Sequence, residues 1–142
     1  MRFWDSSALV PLILQENETE TMRAVMATDS QLLVWVTTGV ELASAIWRRS
    51  RGGELSEPAR TAALTALTEL EGAWNTAVDI VQIAARARRI LATHPLRAAD
   101  ACQLAAALHL CRERPGTIEF VTLDDRLAEA ARKEGFRVLP TP

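Results

Sequence analysis

The chain has 142 residues, 49% of them hydrophobic and 24% charged, with a formal net charge of −2. These proportions exclude a disordered or collagen-like chain, and the length predicts a single domain spanning 1–142 that can bury a core without disulfide or metal support. The near-neutral charge excludes a global electrostatic attraction for nucleic acid and leaves that work to local patches.

Taken in chain order, Arg2–Asp5 predicts a short strand with two aromatics ahead of an acid. The apolar run Ala8–Leu14 is interrupted by Pro11 and followed by no small-residue cleavage site, unlike a signal peptide, and nothing reaches the ~18 apolar residues of a membrane span. A soluble, cytoplasmic protein is the expectation. Ser7–Gln15 and Glu18–Thr28 carry helical patterns. Leu32–Val36 is a continuous apolar run without alternation, as in a strand covered on both faces. Thr38–Arg51 predicts a helix ended by Gly52-Gly53, and Ser56-Glu57-Pro58 opens another that runs to about Trp74. Helices follow at Asp79–Leu91 and Ala98–Arg112. Ile118–Leu123 predicts a third strand, and a last helix from Asp124 or Asp125 to Glu134 stops at Gly135. Arg137–Leu139 is a weaker fourth strand. Strands alternating with helices, without alternation inside the strands, imply an α/β fold with a parallel sheet covered on both sides.

Cys102 and Cys111 lie nine residues apart in one predicted helix, hence on opposite sides of it, and cannot pair. They fit a reduced protein. Of the 16 basic residues, all but Lys133 are arginine, which reflects codon bias most simply but also supplies forks suited to phosphate.

In an open α/β sheet, ligands bind beyond the carboxyl ends of the strands. Asp5 and Asp124 stand at such ends, Glu41 stands in the first turn of the helix after the second strand, and Asp100 opens an alanine-rich helix. Each acid alone has an ordinary use as a helix cap. Glu41 and Asp100, however, are set in apolar runs, which predicts partial burial, and buried carboxylates are rare unless paired or metal-bound. Arg97, three residues before Asp100, suffices for one of the four. Oxygen ligands without His or Cys favour Mg²⁺ or Mn²⁺ over Zn²⁺. His94, before a proline, and His109 suit structural or solvent-facing roles. The hydroxyls of Ser6, Ser7 and Thr122 neighbour the acids.

These segments resemble a known family. Phe3-Trp4-Asp5-Ser6-Ser7-Ala8-Leu9 resembles the opening D-[ST]-S-A-L motif of PIN-domain ribonucleases, in particular the VapC-like toxins of toxin–antitoxin pairs. TTGVELASAIWRR, ending at Arg49, LRAADACQLAAAL, ending at Leu108, and VTLDDRLAEAARKEG, ending at Gly135, are similar to their second, third and fourth motifs. The resemblance implies a three-layer α/β/α PIN-like sandwich with a short parallel sheet. It also implies that Asp5, Glu41, Asp100 and Asp124 are catalytic and hold one or two Mg²⁺ or Mn²⁺ ions, with Ser6 in support; Thr122 joins it as the hydroxyl beside the fourth acid. Asp124 occupies the T-x-D position, leaving Asp125 a capping or solvent role.

The implied activity is endoribonucleolytic hydrolysis by metal-activated water, leaving a 5′-phosphate and a 3′-hydroxyl. Glu41 and Asp124 are both placed to orient the water. Arg48, seven residues after Glu41, and Arg97 are the favoured RNA-binding candidates, while the runs Arg49–Arg51 and Arg86–Arg89 also fit solvated helix faces. Single-stranded or looped RNA suits a rim of acids that must reach the backbone. By the same resemblance the partners are a cognate antitoxin and a second copy in a homodimer. Val10, Leu12, Ile13, Leu14 and Trp47 are candidates for the antitoxin groove or, in most cases, for the core. The competing reading is a catalytically inactive PIN-like protein-binding module. A receiver-type phosphoacceptor lacks its acidic pair and suitably placed lysine, and an aspartyl phosphatase lacks D-x-D because Ser7 fills the third position.

Overall fold

The computed structural model describes residues 1–142. Its single sheet is built from β1 (Arg2–Trp4), β2 (Leu32–Trp35), β3 (Trp74–Ala77), β4 (Glu119–Val121) and β5 (Arg137–Leu139), all parallel, in the order β3-β2-β1-β4-β5. Seven helices connect them: α1 (Ser6–Ile13), α2 (Thr19–Thr28), α3 (Thr38–Arg51), α4 (Glu57–Ala73), α5 (Ile80–Thr93), α6 (Ala98–Leu110) and α7 (Asp125–Lys133).

Period-two alternation inside the strands explains the layers. Phe3, Leu33, Trp35, Phe120 and Val138 point to one face, where they pack with Ile83, Ile90, Leu104 and Leu127 of α5, α6 and α7. Trp4, Leu32, Val34 and Val121 point to the other, onto Leu9, Met22, Leu42, Ile46 and Leu67 of α1 to α4. The Phe3 and Phe120 rings stack at 5.3 Å and Phe136 joins at 5.5 Å. The result is the expected three-layer α/β/α sandwich. No helix is long and apolar enough to cross a membrane.

The chain moves outward from β1 through β2 to β3, then returns to place β4 and β5 on the other side of β1. That reversal opens the crevice between the carboxyl ends of β1 and β4, the usual ligand position in such sheets.

Several expected boundaries shift. β3 was not anticipated: the helix expected to reach Trp74 ends at Ala73, and Trp74–Ala77 continues directly as an edge strand beside β2. The first helix is Ser6–Ile13 instead of Ser7–Gln15 because Leu14 is already extended. The sixth helix ends at Leu110, before two left-handed residues, Arg112 (φ 52°) and Glu113 (φ 56°). Both cysteines are free, Cys111 buried and Cys102 half-buried.

The start of α4 agrees with the cap assigned to it: Ser56 accepts the Ala59 amide at 3.2 Å, with Pro58 in the first turn. Ser56→Ala should therefore lower unfolding stability by ~1 kcal/mol, read as a lower urea midpoint at unchanged slope. Val10 and Leu12 are half-buried, Ile13 and Leu14 are buried in the core, and Trp47 is exposed with the Arg60 guanidinium 5.3 Å from its ring.

Candidate active site

Asp5 ends β1 and caps α1. Its Oδ2 accepts the Ser7 amide at 3.2 Å and the hydroxyls of Ser7 and Thr122 at 2.5 and 3.0 Å. Oδ1 receives no hydrogen bond from the protein. The residue is 3% exposed. Burial, with the negative charge of Glu41 adding to it, raises its pKa to about 6 although the hydroxyl bonds oppose the shift.

Thr122 and Ser7 also fasten the loop after β4. The Ser7 hydroxyl accepts the Leu123 amide at 2.9 Å, and the Thr122 hydroxyl accepts the Asp124 amide at 3.1 Å. Ser7 thus couples the ends of β1 and β4, so these two hydroxyls serve the carboxylate and the loop together.

Glu41 is half-buried in the first turn of α3 and both its oxygens accept hydrogen bonds. Ser6 donates to its Oε2 at 2.7 Å, while Thr37 and Gln103 donate to its Oε1 at 2.9 and 3.2 Å. Asp100 lies in the first turn of α6 with its side chain 24% exposed and the Arg97 Nε 3.8 Å away. Burial raises its pKa, the charges of Asp124 and Glu41 push in the same direction, and Arg97 opposes them.

Asp124 is the N-cap of α7, its Oδ1 accepting the Leu127 amide at 2.8 Å. The capping role assigned to Asp125 therefore belongs to Asp124, and Asp125 is exposed in the first helical turn. Capping uses one of the two oxygens of Asp124 and leaves the other available.

Two open cavities meet at Arg97 and Asp100. One, of about 550 Å³, is lined by Ser6, Ser7, Glu41 and Arg48 as well. The other, of about 380 Å³, is lined by Asp124, Asp125 and Arg126 as well. Arg48 and Arg97 thus stand beside the acids. Other arginines are engaged elsewhere: Arg49 pairs with Glu16, and Arg86 with Glu113 and Glu134. His94 is buried against Glu134 at 2.8 Å, and His109 stands 3.6 Å from Asp79, both away from the acids.

Gln103 is the residue that sequence reasoning missed. It is fully buried in α6, one turn after Asp100, and its Nε2 donates to Glu41 and, at 3.4 Å, to the Thr38 hydroxyl. Its Oε1 has no partner. Exchanging the two ends of the amide would set a carbonyl against the Glu41 carboxylate, so an ionised Glu41 fixes the orientation. A signal existed: Gln103 is the one amide in a helix otherwise of alanine, leucine and cysteine around it.

The donor chemistry fits a hard divalent cation. All four candidates are carboxylates, Asp5 Oδ1 is free, and the negative charge of Glu41 adds to the raised pKa of Asp5 and, with Asp124, to that of Asp100, a repulsion that a cation relieves. As the side chains stand, no three acids, histidines or cysteines are close enough to grip one ion.

Among solved structures, the crystal structure of FitAcB from Neisseria gonorrhoeae is similar, with TM-score 0.67 and 17% identity over 99% of this chain and 97% of that one. At that identity the likeness is one of fold. No curated protein matches the sequence. A family model described as PIN domain matches residues 2–133, a span that takes in Asp5, Glu41, Asp100 and Asp124, and the chain belongs to the PIN-domain family.

Proposed function

We propose that this protein is a Mg²⁺- or Mn²⁺-dependent endoribonuclease, a VapC-like toxin of the cytoplasm restrained by a cognate antitoxin. What supports the reading is that Glu41 and Asp100 line one cavity, Asp100 and Asp124 line its neighbour, and Asp5 is buried at the end of β1 with its pKa raised to about 6. A buried carboxylate with further negative charge nearby costs stability unless a positive partner is bound.

Asp5, Glu41, Asp100 and Asp124 would hold one or two ions. When bound, the ion supplies a nucleophilic water near neutral pH and neutralises charge at the reacting phosphate. The protein's own groups do the rest. Ser7 and Thr122 fix Asp5 with Oδ1 facing away from their bonds. Ser6, Thr37 and Gln103 lock the Glu41 carboxylate, which makes Glu41 the better held of the two acids available to orient the attacking water; Asp124 is restrained at one oxygen. Arg48 and Arg97 bind the phosphodiester. Hydrolysis in this arrangement leaves a 5′-phosphate and a 3′-hydroxyl, and an open crevice suits single-stranded or looped RNA.

The exposed Trp47 and half-buried Val10 and Leu12 support an antitoxin surface on α1 and α3, and the family resemblance extends the proposal to a homodimer. The direct test is cleavage of a labelled single-stranded RNA by the purified chain with Mn²⁺, stopped by EDTA, with 5′-phosphate ends. An RNA left intact with Mn²⁺ rejects the reading. Arg48→Glu and Arg97→Glu should each weaken RNA binding and reduce the slope of log affinity against log salt by about one, measured by anisotropy at several salt concentrations.

A further inference from the structure

A third open cavity, of about 390 Å³, meets the acidic crevice at Arg126. Its walls are the turn before α6, at His94 and Pro95, and α7, at Arg126, Glu129, Ala130 and Lys133. Arg126 also lines the cavity of Asp124, which in turn shares Arg97 and Asp100 with the cavity of Glu41 and Arg48. The three cavities therefore form one path over the surface, joined at Arg97 and at Arg126. The candidate metal ligands stand along its first two parts. The third part, a groove along α7, has Glu129 as its one carboxylate.

Arg126 is the free cation of that groove. Lys133 pairs with Glu129 at 2.7 Å, and His94 with Glu134 at 2.8 Å. Arg126 is exposed and enters no ion pair or hydrogen bond. Its position serves neither the helix nor the acids. As the second residue of α7 it stands at the positive end of the helix dipole, where a cation is disfavoured. Glu129, three residues on and on the same helix face, is taken by Lys133, and one Asp124 oxygen accepts the Leu127 amide. A guanidinium left unpaired in an unfavourable place, at the junction of two open cavities, is available to an external anion.

We infer that the groove along α7 carries the RNA strand away from the reacting phosphate, with Arg126 binding a neighbouring phosphate; the inference rests on the ribonuclease reading and extends it. A strand that crosses a rim of carboxylates is repelled at every phosphate a metal ion does not neutralise, so cations on both sides of the acids must offset that cost. Arg48 stands on one side, in the cavity of Glu41, and Arg126 on the other, past Asp124, with Arg97 between them. The planar guanidinium fork suits phosphate oxygens. No exposed aromatic ring lines the groove, so it offers no platform for stacking a base. Its contacts are to the backbone, and they set the register of the strand without reading its sequence.

The test measures binding of a labelled single-stranded oligouridylate to the full chain in EDTA, by anisotropy at several salt concentrations. Arg126→Gln should reduce the slope of log affinity against log salt by about one, the change expected for one lost phosphate contact. Arg132→Gln makes the same charge change on the same helix, at an exposed position outside the groove, and should keep the wild-type slope. An unchanged slope in Arg126→Gln overturns the inference and leaves the groove to an acidic segment of a protein partner. Equal reductions in the two variants also overturn it, because they show a diffuse attraction to surface charge. With Mn²⁺, Arg126→Gln should raise KM about tenfold for a long RNA, and trimming that RNA from one end should erase the difference from wild type. A difference that survives trimming from either end overturns the inference. The ribonuclease reading fails separately: a chain that leaves RNA intact with Mn²⁺, but whose salt slope still falls in Arg126→Gln alone, keeps the groove and loses the reaction.

Discussion

Asp100→Asn should reduce metal-dependent RNA cleavage on the order of a thousandfold, about 4 kcal/mol of transition-state stabilisation, with the fold intact. The amide is nearly isosteric but a poor ligand for a hard cation. Asp5→Asn and Glu41→Gln should lose comparable activity. Asp124→Asn is the cleanest of the set, because asparagine caps a helix as well as aspartate does, so its loss reports charge and ligation and not the start of α7. Asp125→Asn should change little, since Asp125 is exposed. The measurement is initial cleavage rate in Mn²⁺, with circular dichroism to verify the fold. Full activity in Asp100→Asn would remove it from the site.

In EDTA, the protein should lose stability between about pH 4 and pH 6, and Asp5 should account for much of the loss. Its folded pKa, about 6, lies above the ordinary carboxylate value of 3.8. The folded state thus holds the proton more tightly, which stabilises it below the unfolded value; that contribution is lost as pH rises through the folded one. The gap corresponds to about 3 kcal/mol. Asp100, also raised, acts in the same direction. The difference in Tm between Asp5→Asn and wild type isolates the effect: close to zero near pH 4 and positive at pH 7 in EDTA. Saturating Mn²⁺ reverses the balance. An ion bound only by the folded chain adds ~2.7 kcal/mol at a hundred times its Kd, on the order of 10 °C for a domain of this length. Asp100→Asn should melt higher than wild type in EDTA and gain little from the ion. A wild type unresponsive to Mn²⁺, together with a destabilised amide variant, would rule out a metal site at these acids.

Four of the five strands and all seven helices were legible from local signals, weakest at Arg137–Leu139. Leu32–Trp35 is unbroken apolar sequence, and Ser56 and Gly135 mark helix ends by side-chain oxygen and by a φ of +100°. Trp74–Ala77 carried none. As an edge strand it buries only Ala77 fully, and no breaker separates it from α4, so its sequence continues the helical pattern. Its partnership with β2 is a tertiary fact. The same holds in the site. Acids at strand ends and helix starts were visible from position alone. That Asp124 also caps α7, and that Ser7 joins β1 to β4, depends on strands 117 residues apart being neighbours. Gln103 shows the limit most clearly: its polarity was visible, but the carboxylate it serves lies 62 residues away.

That same amide joins parts of the molecule that otherwise share little. Glu41 rides on a helix whose apolar side belongs to the layer around Trp4, and Asp100 rides on one embedded in the layer around Phe120. Gln103, reaching from α6 to Thr38 and Glu41, is a clasp across the two slabs at their open edge. The separation between acids is then set by how the slabs seat on the sheet. Volume changes deep in either one, far from any reacting atom, should register first as altered turnover and faster amide exchange at the first turns of α3 and α6, before any loss of overall stability. Random mutagenesis scored by RNA cleavage should accordingly return interior substitutions alongside the acids themselves.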